Sequence, residues 1–249
     1  LTSPTIEIQA DRPRVVPILV VSFIGFLAGQ FAALLLDTLG VALTHYPGGM
    51  NALAKAPNPP SWSNALSLLG LWVGFAAAIV YAHREGHLRA LPDQWRPRWS
   101  DLAYVVVGVA CQFVIDAVYA PFHFKSLNHP VNHLFKAAHG PGFVLIAIMT
   151  TLIAPFFEEW LFRGVIFRAI AEGVRGVSSR VGVALGIVVS ACLFGLAHGE
   201  VLQFAGLAAF GVVLALIVRR TKRLVPSFVT HASFNAVALV AVIAQRAGH

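Results

Sequence analysis

Seven apolar runs, each long enough to cross a bilayer and separated by polar or proline-rich segments, constrain this chain more than any other feature. They lie at about Pro17–Thr44, Trp62–Ala82, Leu102–Ala120, Gly142–Ala171, Val181–Ala197, Val201–Val218 and Ser227–Ala244. A helix needs about 20 apolar residues to span the hydrocarbon core, where every backbone polar group must be satisfied within the segment. The runs therefore predict an all-α, polytopic membrane bundle of about seven transmembrane helices. Composition agrees: 57% of the 249 residues are hydrophobic and 12% charged, against roughly 25% charged in a soluble domain. The first run is too long for the 7–15-residue apolar region of a cleaved signal, so it reads as a retained span.

Basic residues orient the bundle. With residues 1–16 as a cytoplasmic tail, 14 of the 18 Lys and Arg fall in inside segments and four outside, and the alternation holds at every loop. The amino terminus is thus expected in the cytoplasm. The net charge of +7 then reflects retained loop charges, and Arg219, Arg220, Lys222 and Arg223 anchor the sixth run rather than bind nucleic acid. Cys111 and Cys192 fall inside apolar runs and read as buried packing residues.

Within the fourth run, residues Ala154 to Gly164 read APFFEEWLFRG. An acid at the centre of a membrane helix costs about 2.5–3.5 kcal/mol on insertion scales, so the Glu158–Glu159 pair needs partners. Adjacent helical residues point about 100° apart, so the two acids cannot face one cavity. Arg163 follows Glu159 by four residues, the favourable order for an ion pair. Glu159 is assigned to Arg163, and Glu158 is left facing the bundle interior. Both acids acting only as structural ion pairs is the blander alternative.

Partners appear on two later runs. Gly182, Gly186, Ser190, Phe194 and His198 recur by fours, a small-residue groove ending in a histidine. His231 and Asn235 share a face of the seventh run. Each would be costly alone in lipid, so convergence on one cavity is expected. One tension stands. His198 lies at the outer end of its run and His231 near the inner end of its own. Either the His198–Glu200 turn is submerged or the fifth helix starts later than Val181.

These residues carry a family resemblance. APFFEEWLFRG resembles the EExxxR motif of the CAAX-processing and bacteriocin-processing (CPBP, or Abi) family of intramembrane endopeptidases, related to the type II CAAX prenyl endopeptidases. Phe194 to His198 matches that family's FxxxH motif and His231 to Asn235 its HxxxN motif. The three come in order over about residues 142–244. The resemblance implies an intramembrane endopeptidase in which Glu158 is the general base, His198 helps hold water, and His231 and Asn235 donate to the oxyanion. Glu159, Arg163 and Phe194 would support the site. It divides the chain into the tail (1–16), membrane helices without motifs (17–141) and a catalytic core (142–249).

No cofactor is favoured. Glu158, His198 and His231 form a set that zinc accepts, but the His-x-x-x-His signature of zinc peptidases is absent. Expected partners are membrane lipid and a peptide or membrane-protein substrate, with no nucleic acid. The alanine- and arginine-rich composition suggests a bacterial cytoplasmic membrane, where prenylated proteins are poor candidates and leader peptides or small membrane proteins better ones. Two other classes stay open: a non-proteolytic binding or immunity protein of the same fold, and a proton-coupled transporter, against which the lack of internal repeats counts.

His129 and His133 are four apart, but Pro130, Val131, Leu134, Phe135 and Ala138 read better as a short amphipathic helix on the outer membrane surface. Asp37 and Asp116 lie toward outer helix ends, where acids reach water. Glu200, beside His198, is a further candidate for the site.

Overall fold

The structure is a computed structural model, and it describes residues 12–90, 93–122, 134–174 and 178–247. The described residues contain helices and no strand. In chain order the helices include α1 (Val15–Thr44), α2 (Gly49–Ala54), α3 (Ser61–Arg84), α4 (Tyr104–Tyr119), α5 (Gly140–Gly173), α6 (Ser179–Ala197), α7 (Val201–Thr221) and α8 (Val225–Ala247). All but the short α2 belong to the seven segments long and apolar enough to cross a membrane; α4 does so with the 3₁₀ turns Trp99–Ala103 and Ala120–Phe122 at its ends. The protein is an integral membrane protein. Rows of large apolar side chains on α1, among them Phe23, Leu27, Phe31 and Leu35, are exposed, as a lipid-facing helix requires.

The helix ends follow local chemistry. Pro141 sits in the first turn of α5, where a missing N–H leaves nothing unpaired. The Ser178 hydroxyl caps α6 by accepting the Val181 amide at 3.4 Å. A three-residue turn joins α6 to α7, with Gly199 at φ +70°, a conformation side chains rarely adopt. Between the first two spans, in a proline-rich segment, the structure inserts the short α2.

Small residues set the closest helix contacts. α1 meets α3 where Gly25 and Gly29 face Gly70, Leu71 and Gly74; a methyl group on Gly29 would stand 2.9 Å from the Leu71 carbonyl. The Gly182–Gly186–Ser190 stripe of α6 lies along the second half of α5. Gly186 abuts the Phe167 carbonyl, and the Ser190 hydroxyl donates to the Phe162 carbonyl at 2.7 Å.

α5 organises the rest. Its 34 residues are about 50 Å long as ideal helix, against a hydrocarbon core of about 30 Å. It is not uniformly α-helical. Met149–Ile153 and Glu159–Phe167 are π-helical, and the Ala154 amide donates to Met149, five residues back. At that spacing the Thr150 carbonyl would fall to Pro155, which has no N–H. The Asn235 amide of α8 takes it instead, at 2.9 Å.

That long helix resolves the depth conflict. α6 packs on its second half, and α8 runs from Glu159 back past Thr150 to Ala138, which lies just before α5 begins and whose carbonyl accepts from Arg246. α6 starts at Ser179, two residues before the expected Val181, so a late start is not the answer. Instead the α6–α7 turn falls beside the middle of α5. The ends of α6 and the interior of α8 overlap at residues 154–163.

The face at which α1 begins is closed by the α3–α4 connection. Trp95 packs on Phe156 (ring centroids 4.6 Å apart), Trp160 and Phe228. The Gln94 carbonyl accepts the Leu224 amide at 2.8 Å. Arg223 makes a two-pronged ion pair with Asp101, at 2.8 and 2.7 Å, and also donates to the Arg96 carbonyl.

Candidate active site

Glu159 is fully buried beneath the site. One carboxylate oxygen accepts from Arg163 Nη1 at 3.0 Å and from His231 Nδ1 at 3.0 Å; the other accepts from the Ser227 hydroxyl. Arg163 is buried as completely. Its second arm donates to the Gly211 carbonyl of α7 at 3.3 Å, and its guanidinium lies 4.3 Å from the centre of the Phe194 ring. The expected i,i+4 pair is therefore present; α7 and α8 supply its further hydrogen bonds and α6 the Phe194 ring, while Arg163 Nε has no hydrogen-bond partner. Partners for its other lone pairs and protons offset the cost of burying the pair in low dielectric.

Phe194 is the hinge of the arrangement. Its ring meets Phe162, His198 and His231 edge-on, at centroid distances of 5.5, 4.8 and 5.4 Å. His231 is buried between Phe194 and Phe210 and presents one nitrogen to each glutamate: Nδ1 to Glu159, and Nε2 to Glu158 at 3.6 Å. A carboxylate only accepts, so Nδ1 carries a hydrogen. His198 Nδ1 faces the Phe194 carbonyl at 2.8 Å, which likewise fixes its hydrogen there and leaves Nε2 as an acceptor.

Glu158, His198, Asn235 and Thr150 line one cavity of about 280 Å³. The cavity reaches the face where α4 and α6 end, through Tyr119 and Gln203, while the Trp95 cluster closes the other face. Glu158 is 15% exposed and Glu159 0%, so the two adjacent acids are divided between cavity and interior. His198 is exposed at the cavity edge, and His231 stands behind Glu158.

Residues 140–237 match the model of the Rce1-like family, type II CAAX prenyl endopeptidases. This stretch resembles an Rce1-like domain. It runs from the first turn of α5 into α8 and contains Glu158, Glu159, Arg163, Phe194, His198, His231 and Asn235. That family is one of type II CAAX prenyl endopeptidases, and residues 140–237 are similar to it. No curated protein and no solved structure matches the chain.

The cavity is wider than the Rce1-like domain. Leu68 of α3 and Gln112, Ile115, Asp116 and Tyr119 of α4 line it from outside residues 140–237. Sequence reasoning did not reach Ser227, whose hydroxyl contacts Glu159; it stands four residues before His231 on the same helical face, a spacing that could have flagged it. It also did not reach Gln112, a polar residue inside an apolar run.

Other candidates fall outside the site. Glu200 is exposed and does not line the cavity, and Asp37 accepts from Ser67 of α3 at 3.0 Å. His129, His133 and the start of the amphipathic helix expected at Pro130 lie outside the described residues. Cys111 and Cys192 are free and half-buried, and Cys111 packs against the hydrophobic core.

Zinc was the alternative cofactor, on Glu158, His198 and His231. Among the described residues no three His, Cys, Asp or Glu side chains are grouped to hold a metal ion. His231 gives Nδ1 to Glu159, which leaves its Nε2 facing Glu158.

Proposed function

We propose that the protein is a glutamate-dependent intramembrane endopeptidase. Glu158 takes a proton from a cavity water as that water attacks the scissile carbonyl carbon, then passes the proton to the leaving amine. His198 Nε2, an acceptor, orients the water. The oxyanion receives hydrogen bonds from the Asn235 N–H not given to Thr150 and from His231 Nε2. Donation from Nε2 needs the doubly protonated ring, since Nδ1–H is given to Glu159. Each oxyanion donor is worth about 2.7–4 kcal/mol in known cases. Glu159 and Arg163 hold His231 and Phe194 in place.

The observation that carries this reading is the sharing of one cavity by Glu158, His198 and Asn235, with His231 Nε2 3.6 Å from the Glu158 carboxylate. A low-dielectric cavity that admits water suits a carboxylate base. We place the protein in a bacterial cytoplasmic membrane with its amino terminus in the cytoplasm, as the distribution of Lys and Arg favours. The cavity then opens on the extracytoplasmic side, and the substrate is a leader peptide or small membrane protein rather than a prenylated carboxyl terminus.

The test compares protein termini in membranes of host cells expressing wild type or Glu158→Ala at matched levels. New termini only with the wild type, abolished also by His231→Ala, are expected. Identical termini in both strains, and no cleavage of a peptide library by the purified protein, would move the reading to a membrane protein that binds without cutting.

A further inference from the structure

The cavity has a second polar wall, opposite the Rce1-like domain. Asp116 of α4 is exposed into it and accepts from Gln112 Nε2 at 3.0 Å. That bond turns the other end of the Gln112 amide away, and Gln112 Oε1 is buried with no hydrogen-bond partner. The nearby Tyr119 hydroxyl is already engaged, donating to the Leu202 carbonyl at 2.9 Å and accepting the Gly206 amide at 3.0 Å. What this wall offers is therefore an acceptor, the Asp116 carboxylate, held in place by Gln112 Nε2. Glu158, in the same cavity, adds another carboxylate.

Such a wall selects its occupant by charge. Among the described residues no Lys or Arg lines the cavity, and Asp116 forms no ion pair there. Two carboxylates beside hydrocarbon favour a cation that can donate to them. The rest of the lining, including Ile115, Leu207 and Phe234, is apolar. A long basic side chain matches both halves, its methylene stem on the apolar lining and its head on the acceptors. A free carboxylate would meet only repulsion at this wall.

We infer that Gln112 and Asp116 form a subsite for a lysine or arginine side chain of the peptide substrate, close to the bond that is cut. The inference rests on the peptidase reading and names its specificity. It also assigns a role to α4, which lies outside the family match.

The experiment uses the purified full-length protein in lipid vesicles and paired peptides that carry Lys or Gln at each position near the mapped cleavage site. Wild type is expected to cut the Lys member of one pair roughly ten- to a hundredfold faster in kcat/KM, the range of one charge-assisted hydrogen bond. Asp116→Asn should lose that preference while cutting the Gln member as before, and Asp116→Lys should shift preference to a Glu peptide. Asp116 is exposed, so these variants should fold; equal thermal midpoints check it. Equal cleavage of Lys and Gln members, or an equal loss on both in Asp116→Asn, overturns the subsite. Peptide binding measured by fluorescence anisotropy separates the two claims. A Lys preference in binding that Asp116→Asn abolishes, without cleavage, keeps the subsite and sinks the peptidase reading. Equal binding of both members sinks the subsite.

Discussion

Arg163 and Ser227 both hold the buried Glu159, but they hold different things. Arg163 is its compensating charge, and removing it leaves a carboxylate in low dielectric, which costs about 3–5 kcal/mol. Ser227 is a neutral donor to the same group, and its loss costs about 1–3 kcal/mol, because Arg163 and His231 remain. Thermal unfolding of the purified protein should therefore rank wild type above Ser227→Ala and Ser227→Ala well above Arg163→Ala. Equal midpoints for the two variants would mean that Glu159 does not need its charge balanced. Glu158 behaves in the opposite way. It contacts the cavity, so Glu158→Gln should leave the midpoint within about 1 kcal/mol of wild type, as expected for a partly solvated site, while removing activity.

Among the elements, α5 departs from what a motif reading can supply. EExxxR fixes which residues occur but not the register of the backbone that carries them. Pro155 and the π-helical spacing of Met149–Ile153 together leave the Thr150 carbonyl for Asn235. Asn235 thus has a structural bond as well as a proposed catalytic one. Asn235→Ala should cost about 1–3 kcal/mol through that carbonyl alone. Pro155→Ala would supply an amide to the same carbonyl, so the double variant Pro155→Ala/Asn235→Ala should lose less stability than Asn235→Ala does. A double-mutant cycle on unfolding midpoints reads the coupling directly. Strict additivity would show that the Asn235 bond does not replace the missing N–H. The α6 stripe, by contrast, was readable. Gly182, Gly186 and Ser190 are small because α5 lies against them, and the same spacing carries Phe194 to Arg163 and His198 to the cavity edge.

For the whole molecule, closure of one face decides how the cavity is reached. Trp95 and the Asp101–Arg223 pair join the α3–α4 connection to the start of α8, on the face opposite the cavity opening. Asp101→Ala would leave Arg223 buried with only carbonyl partners. A loss of about 3–5 kcal/mol is expected, together with faster proteolytic nicking around residues 85–98 in the folded state. If nicking and stability both match wild type, the face is closed by the aromatic cluster alone.

The seven spans, the Glu159–Arg163 pair and the α6 stripe followed from sequence because each is local: apolar length, i,i+4 spacing and a period of four act within one helix. The placing of Glu158 toward the cavity and Glu159 toward the interior also followed, since adjacent residues on a helix must diverge. Three things needed the tertiary structure. The depth at which His198 and His231 meet depends on how far α6 and α8 are displaced along α5, which no single helix encodes. The entry of Ser227 and the α4 wall into the site depends on which helices become neighbours. The bond from Asn235 to Thr150 depends on a backbone register that forms only when another helix supplies the donor. Local periodicity therefore determined the elements and most of their polar residues, and packing between elements decided which of those residues share a cavity, because burial and pairing are properties of neighbours rather than of the chain.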